Sequence, residues 1–308
     1  MIKNHPTKAV VLSGSAHPKL ARELAELLHL KVAATDISYF PNGEKRIWVK
    51  DKLAGKVVVI VQPFSAPVDE HIVEFCLLLD AAHHLKAQQV VGVVPWLGYS
   101  PQDKLFREGE PISVHVVAKM IESLNLNHLV VADIHSADSL KHFTVPVTQV
   151  SAAELYINHF KKLNLKNHLA VALDKGATKR AHEFARALKL PLVQFEKSRD
   201  RKTGAVTFKS LKDGVRGKHV ISFDDFVSTG TTRIQASSIL KQKGALSYTD
   251  CITHALLAGQ APKKLQASSI DRLYTTDSYP IPKAKLFPKL TILHIAPLLA
   301  KAIKPLIK

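Results

Sequence analysis

Val220-Ile-Ser-Phe-Asp-Asp-Phe-Val-Ser-Thr-Gly-Thr-Thr232 is the stretch that decides the fold of this 308-residue chain. Val220–Phe223 reads as a strand buried on both faces, because its pattern is continuous rather than alternating. Two adjacent carboxylates, Asp224 and Asp225, end it, and a Ser/Thr/Gly loop then opens a helix over Thr231–Lys243. In an open α/β sheet such a loop lies at the carboxyl end of its strand, the edge where ligands bind.

The same scheme extends in both directions. Ala9–Leu12, Val57–Val61, Val90–Pro95 and Leu129–Asp133 predict buried strands, with helices over Pro18–Leu30, Ala66–Leu85 and Pro111–Leu124 between them. The second half repeats it, with strands at Leu169–Leu173, Leu192–Phe195, Tyr248–Thr253 and Arg272–Thr275 and helices at Lys175–Leu188 and Ala261–Ala267. Strand–helix alternation means parallel sheets joined by right-handed crossovers. Two sheets of about five strands suit the length better than one large sheet. The expected fold class is α/β, with two similar domains over 1–149 and 150–289 whose parallel β-sheets are flanked by helices. The segment 290–308 is expected to pack back on the first domain, its His294–Lys308 part as an amphipathic helix without an acidic residue.

Composition narrows the function classes. Hydrophobic residues are 46% and charged residues 22%, which excludes a disordered or fibrous chain. The net charge is +17, and its distribution is uneven. Residues 1–150 carry 15 basic and 15 acidic side chains, whereas 151–308 carry 28 and 11. That half-chain admits a polyanionic substrate, nucleic acid or an anionic surface, and equally a solvated basic face. No apolar run approaches the roughly 20 residues needed to span a bilayer, and the first residues lack a signal-peptide pattern. Cys76 and Cys251 stand far apart in apolar stretches and read as core rather than as a disulfide or metal pair. The expectation is a cytoplasmic protein with no membrane and no nucleic-acid partner, since no helix-turn-helix or zinc-finger spacing supports the latter.

The decisive stretch also has a chemical reading. Amides of Ser228, Thr229, Gly230, Thr231 and Thr232 at a helix N-terminus make a concave site for a phosphate dianion. Asp224 and Asp225 would repel that phosphate, so they suit vicinal hydroxyls of a sugar, or a magnesium ion through its waters. Together these describe a pentose phosphate. The plain alternative is a Ser/Thr cap on an ordinary βα loop.

This segment resembles the phosphoribosyl-pyrophosphate loop shared by type I phosphoribosyltransferases and ribose-phosphate pyrophosphokinases. Further segments resemble the pyrophosphokinases, in that family's order: Ser13-Gly-Ser-Ala-His-Pro18, Phe40-Pro-Asn-Gly-Glu44, Tyr99-Ser-Pro-Gln-Asp103, Arg107-Glu-Gly-Glu-Pro-Ile-Ser113, Asp133-Ile-His135, Asp174-Lys-Gly176 and His294-Ile-Ala-Pro-Leu-Leu-Ala300. The resemblance covers nearly the whole chain. It implies type I phosphoribosyltransferase-like domains and a ribose-phosphate diphosphokinase that moves the β,γ-diphosphoryl group of ATP to the 1-hydroxyl of ribose 5-phosphate. The products are phosphoribosyl pyrophosphate, for nucleotide biosynthesis, and AMP.

The resemblance also implies roles. Glu196-Lys-Ser-Arg-Asp-Arg-Lys202 is similar to the family's catalytic loop, which makes Lys197 and Arg199 the candidate catalytic cations, beside the plainer reading of a solvated charge run. Phe40, Asn42 and Glu44 match a segment that grips adenine from a neighbouring subunit, so a homo-oligomer with its active site at a subunit interface is implied. Gln102, Asp103 and His135 match nucleotide contacts, and His135 with Asp174 match the holders of Mg2+. Phosphoryl transfer of this kind needs mainly positioning and cations.

Three positions depart from the family's pattern. Pro101 stands where Arg is usual, Asn42 where Asp is usual, and Thr231 where Gly is common. Losing one charge-stabilising contact costs about 10²–10³ in rate, so Pro101 supports an alternative: a non-catalytic family member acting as regulatory subunit of a catalytic homologue. A salvage phosphoribosyltransferase would need one domain with a base-binding hood instead of two sheets.

Overall fold

The computed structural model describes residues 9–173, 178–199, 206–211 and 214–308. Contacts divide the chain into two compact units, one running to Ser151 with Ser278–Pro280 and His294–Lys308, the other comprising Ala152–Asp277 and Ile281–Leu293.

The first unit contains β1 (Ala9–Ser13), α1 (Pro18–Leu28), β2 (Thr35–Tyr39), β3 (Lys45–Val49), β4 (Val57–Val61), α2 (Val68–His84), β5 (Gln89–Val93), α3 (Ser113–Glu122), β6 (His128–Ala132), α4 (Ala137–Leu140) and β7 (Val147–Val150). Five strands form a parallel sheet in the order β1-β4-β5-β6-β7, while β2 and β3 pair antiparallel as a separate hairpin. Val57–Val61 is buried throughout, as its unbroken β-branched run requires. Val58, Ile60, Val90, Leu129 and Val131 pack with Phe75 and Leu78 of α2.

The second unit contains α5 (Ala153–Phe160), β8 (His168–Ala172), α6 (Thr178–Leu188), β9 (Leu192–Arg199), β10 (Val206–Leu211), β11 (His219–Val227), α7 (Thr231–Gln242), β12 (Ser247–Ala255), α8 (Ala261–Ala267), β13 (Arg272–Thr276) and β14 (Leu290–Leu293). Its seven strands run in the order β10-β9-β8-β11-β12-β13-β14, all parallel except β10. Alternate residues of β11 and β12 serve different layers. Ile221, Phe223 and Cys251 pack with Tyr156 of α5 and Phe184 of α6, whereas Val220, Tyr248 and Ile252 pack with Leu240 of α7 and Leu265 of α8.

The α/β class and the parallel sheets follow the expectation; the second sheet has seven strands where about five are expected, the β2–β3 hairpin is additional, and three element boundaries differ. Leu192 begins a strand that does not stop at Phe195; it continues to Arg199 because β10 returns alongside it. Leu290–Leu293 forms an edge strand, β14, because its amides and carbonyls find partners along β13. The terminal helix, α9 (Ala296–Ile303), therefore starts later and packs on α1 of the first unit. No helix among the described residues is long and apolar enough to cross a membrane.

One feature of the second sheet makes its stability depend on pH. His168 and His219 are register partners on β8 and β11, with rings stacked 4.9 Å apart. Burial, then the neighbouring imidazole, holds His168 below the usual imidazole range. Among the described residues its Nδ1 is buried without a hydrogen-bond partner. The unfolded chain takes up this proton near pH 6.5, so the contribution to stability is complete above about that pH and is lost as pH falls toward the folded value. The thermal midpoint should drop between about pH 7 and pH 5, and His168→Gln should flatten that drop, as read by calorimetry.

Candidate active site

The Ser228–Thr232 segment joins β11 to α7. Gly230 is the residue before the helix, with φ +78°, a left-handed conformation that glycine adopts without strain. A side chain there would also lie 2.9 Å from Leu265. No side chain among the described residues caps α7, so the amides of its first turn remain donors for an anion. Thr231 is exposed at the first helical position, its Oγ1 3.2 Å from that of Thr229. The left-handed turn thus falls to Gly230, and position 231 needs no glycine.

Two arginines answer Asp224 and Asp225 at the end of β11. Arg233, in the first turns of α7, is buried. Its Nη2 donates to Asp224 Oδ2 at 3.1 Å and to the Phe226 carbonyl at 3.0 Å, while Nη1 donates to Asp250 at 2.8 and 3.1 Å. Arg180, from α6, reaches Asp224 Oδ1 at 3.0 Å and lies 3.5 Å from Asp225. Asp250 further accepts from Ser222 Oγ at 2.6 Å, and that hydroxyl is 2.8 Å from Tyr248 OH. Burial alone would weaken the Arg233 charge, but Asp250 and Asp224 outweigh it and hold the guanidinium protonated. Burial likewise pushes the Asp250 carboxyl up, with Arg233 opposing. Sequence reasoning missed both arginines, since nothing in their local pattern marks them.

In the first unit, Gln102 and Asp103 follow β5 and His135 follows β6, so all three belong to loops at the carboxyl edge of one sheet. Gln102 Oε1 accepts from Ser113 Oγ at 2.5 Å. Asp103 is buried, and its carbonyl accepts from the His142 ring at 3.1 Å. His135 is exposed, while its neighbour Asp133 is buried and accepts from Ser151 Oγ at 2.8 Å. Phe40, Asn42 and Glu44 lie at the turn of the β2–β3 hairpin. There Asn42 Oδ1 accepts from the Glu44 amide at 3.2 Å, and the Phe40 ring is 46% exposed beneath the Arg46 guanidinium. Lys197 and Arg199 are residues of β9 paired with Phe208 and Val206; Asp174 lies outside the described residues.

Cys251 is buried in the core, and Cys76 is partly buried against it. Burial pushes Cys76 up to about 11 and Cys251 well above the usual thiol range. The arginine bracing is testable by equilibrium urea unfolding. Arg233→Met, which leaves the buried Asp250 carboxylate without its arginine, should cost about 3–5 kcal/mol, and Gly230→Ala about 1–2 kcal/mol.

The N-terminal domain of ribose phosphate pyrophosphokinase matches residues 9–124, and the phosphoribosyl synthetase-associated domain matches 207–308. A ribose-phosphate pyrophosphokinase of Caldanaerobacter subterraneus is 31% identical over 95% of this chain and 93% of its own length. One from Oceanobacillus iheyensis is 32% identical over 95% and 92%. The crystal structure of phosphoribosylpyrophosphate synthetase from Mycobacterium smegmatis superposes with a TM-score of 0.91 at 29% identity, covering 97% of this chain and 98% of that one. With both sheets and nearly every residue accounted for by these relatives, the chain is a transferase and belongs to the ribose-phosphate pyrophosphokinase family.

Proposed function

We propose that the protein transfers the β,γ-diphosphoryl group of ATP to the 1-hydroxyl of ribose 5-phosphate, yielding phosphoribosyl pyrophosphate and AMP in the cytoplasm. The observation that carries this reading is the uncapped N-terminus of α7 beside two arginine-braced carboxylates. The amides of Ser228 to Thr232 hold the 5-phosphate. Asp224 and Asp225 accept from the ribose hydroxyls. Because Arg180 and Arg233 already balance their charge, hydroxyls suit them better than a divalent cation does.

The nucleotide binds at the carboxyl edge of the first sheet, on Gln102, Asp103 and His135. A neighbouring copy of the chain supplies Phe40, Asn42 and Glu44. Tyr39, Phe40 and Trp48 are all exposed on that hairpin, at 58%, 46% and 56%, which supports a stacking surface facing another molecule. Lys197 and Arg199 clamp the transferring group, whose negative charge grows in the transition state. Mg2+ would be held by His135 and Asp174. The exposed position of His135 fits an ion that keeps most of its waters and binds mainly through the substrate's phosphates. When bound, the ion neutralises phosphoryl oxygens.

A second reading, a non-catalytic subunit, is favoured by Pro101, which brings no cation to the loop between Tyr99 and Asp103. One assay decides. Incubation with ATP, Mg2+ and ribose 5-phosphate should release AMP, and Lys197→Ala should lower the rate by about 10²–10³. Absence of AMP above the Lys197→Ala control would favour the subunit reading.

A further inference from the structure

One segment that carries the family resemblance, Ser13–Pro18, and the residue that follows another, Lys45 after Phe40–Glu44, converge on one buried carboxylate. Glu74, on α2, is fully buried, a position in which an unpaired carboxylate is strongly unfavourable. It accepts from the Ser15 amide at 2.5 Å, Ser15 Oγ at 2.6 Å and Gln62 Nε2 at 2.9 Å, and it pairs with Lys45 Nζ. The Lys45 side chain is only 6% exposed. Burial opposes the Glu74 charge, but hydrogen bonds from Lys45 and Ser15 outweigh it and hold the carboxyl below its ordinary range. Gln62 Oε1 accepts from the Ala16 amide at 3.1 Å, and a side chain at Gly14 would fall 2.1 Å from that oxygen. The donors thus come from the loop after β1, the end of β4 and the hairpin, and the packing leaves them little freedom.

Lys45 and Tyr39 are register partners directly beneath the Phe40–Glu44 turn. Tyr39 OH donates to Glu70 at 3.2 Å, one helical turn before Glu74, and the Lys45 ammonium lies 5.7 Å from the Tyr39 ring centre. Both legs of the hairpin are therefore pinned to α2. A two-stranded hairpin is marginal alone, and this one joins neither larger sheet. Its orientation depends on the anchorage to α2.

We infer that Lys45 and Glu74 are positioning residues for the nucleotide: their buried ion pair sets the Phe40–Glu44 turn in the pose that receives adenine. The inference rests on the reading of Phe40, Asn42 and Glu44 given above and deepens it. A displaced turn weakens nucleotide binding while leaving the diphosphoryl transfer itself intact.

Steady-state kinetics on the full chain test this. Lys45→Met should raise KM for ATP on the order of 10-fold, change kcat by less than about twofold and leave KM for ribose 5-phosphate unchanged. Lys45→Arg, which keeps the ion pair, should restore KM for ATP. The double variant Lys45→Met/Glu74→Gln buries no charge, so it folds where the single variant fails and should show the same KM shift. Phe40→Ala is the reference and should raise KM for ATP. If Phe40→Ala raises KM while the Lys45 variants lower only the thermal midpoint and kcat, the positioning role is overturned and the hairpin reading stands. If Phe40→Ala leaves KM unchanged, the hairpin reading fails and the positioning role falls with it.

Discussion

Arg233 carries its guanidinium into the interior of the second unit, with Asp250 on one side and Asp224 on the other. The fully buried Asp250 is not tolerable there alone, and the planar fork of arginine is the group that can answer two carboxylates and a carbonyl together. The consequence is geometric. Three elements, β11, β12 and α7, are fixed to one another within a few residues of the loop that leads into α7. The helix N-terminus cannot drift from the end of β11, so its amides and the two acids keep one spacing. Arg180 completes the arrangement from α6 and takes up charge on the outer oxygens. Two carboxylates can then sit beside the helix N-terminus with their charge balanced.

The loop was legible in the sequence because its signals are local. An apolar run, two consecutive acids and a Ser/Thr/Gly stretch fall within thirteen positions, Val220 to Thr232. Its support was not legible, because the partners are distant or periodic. Arg180 precedes Asp224 by 44 residues, and Arg233 resembles any helix cation until strand alternation and the crossover bring it inward. The β2–β3 hairpin escaped notice for a related reason. Thr35-Asp-Ile-Ser-Tyr39 is half-buried at best, so it lacks the continuous apolar run that betrayed the sheet strands. In the same way β14 merged with the terminal helix, since Leu290-Thr-Ile-Leu293 runs straight into its apolar sequence and only the pairing with β13 separates them.

The positive excess of residues 151–308 has a partial structural account. Lys161, Lys189, Lys241 and Lys243 fall at or just beyond the carboxyl ends of α5, α6 and α7. Cations are favourable there against the helix dipole, and in a parallel sheet those ends lie at the edge opposite the ligand loops. These four of the 28 basic side chains serve helix termini, while Arg180 and Arg233 pair with Asp224 and Asp225.

The proposed function requires that arginine-braced carboxylates read ribose hydroxyls while the α7 amides hold the phosphate. Calorimetric titration of ribose 5-phosphate against 2-deoxyribose 5-phosphate isolates this recognition, since the two ligands share the phosphate and differ by one hydroxyl. The ribose compound should bind at least about tenfold more tightly, the scale of losing one hydrogen bond to a charged group, with the advantage removed in Asp224→Asn. Equal affinities for the two sugars, unaffected by Asp224→Asn, would contradict it.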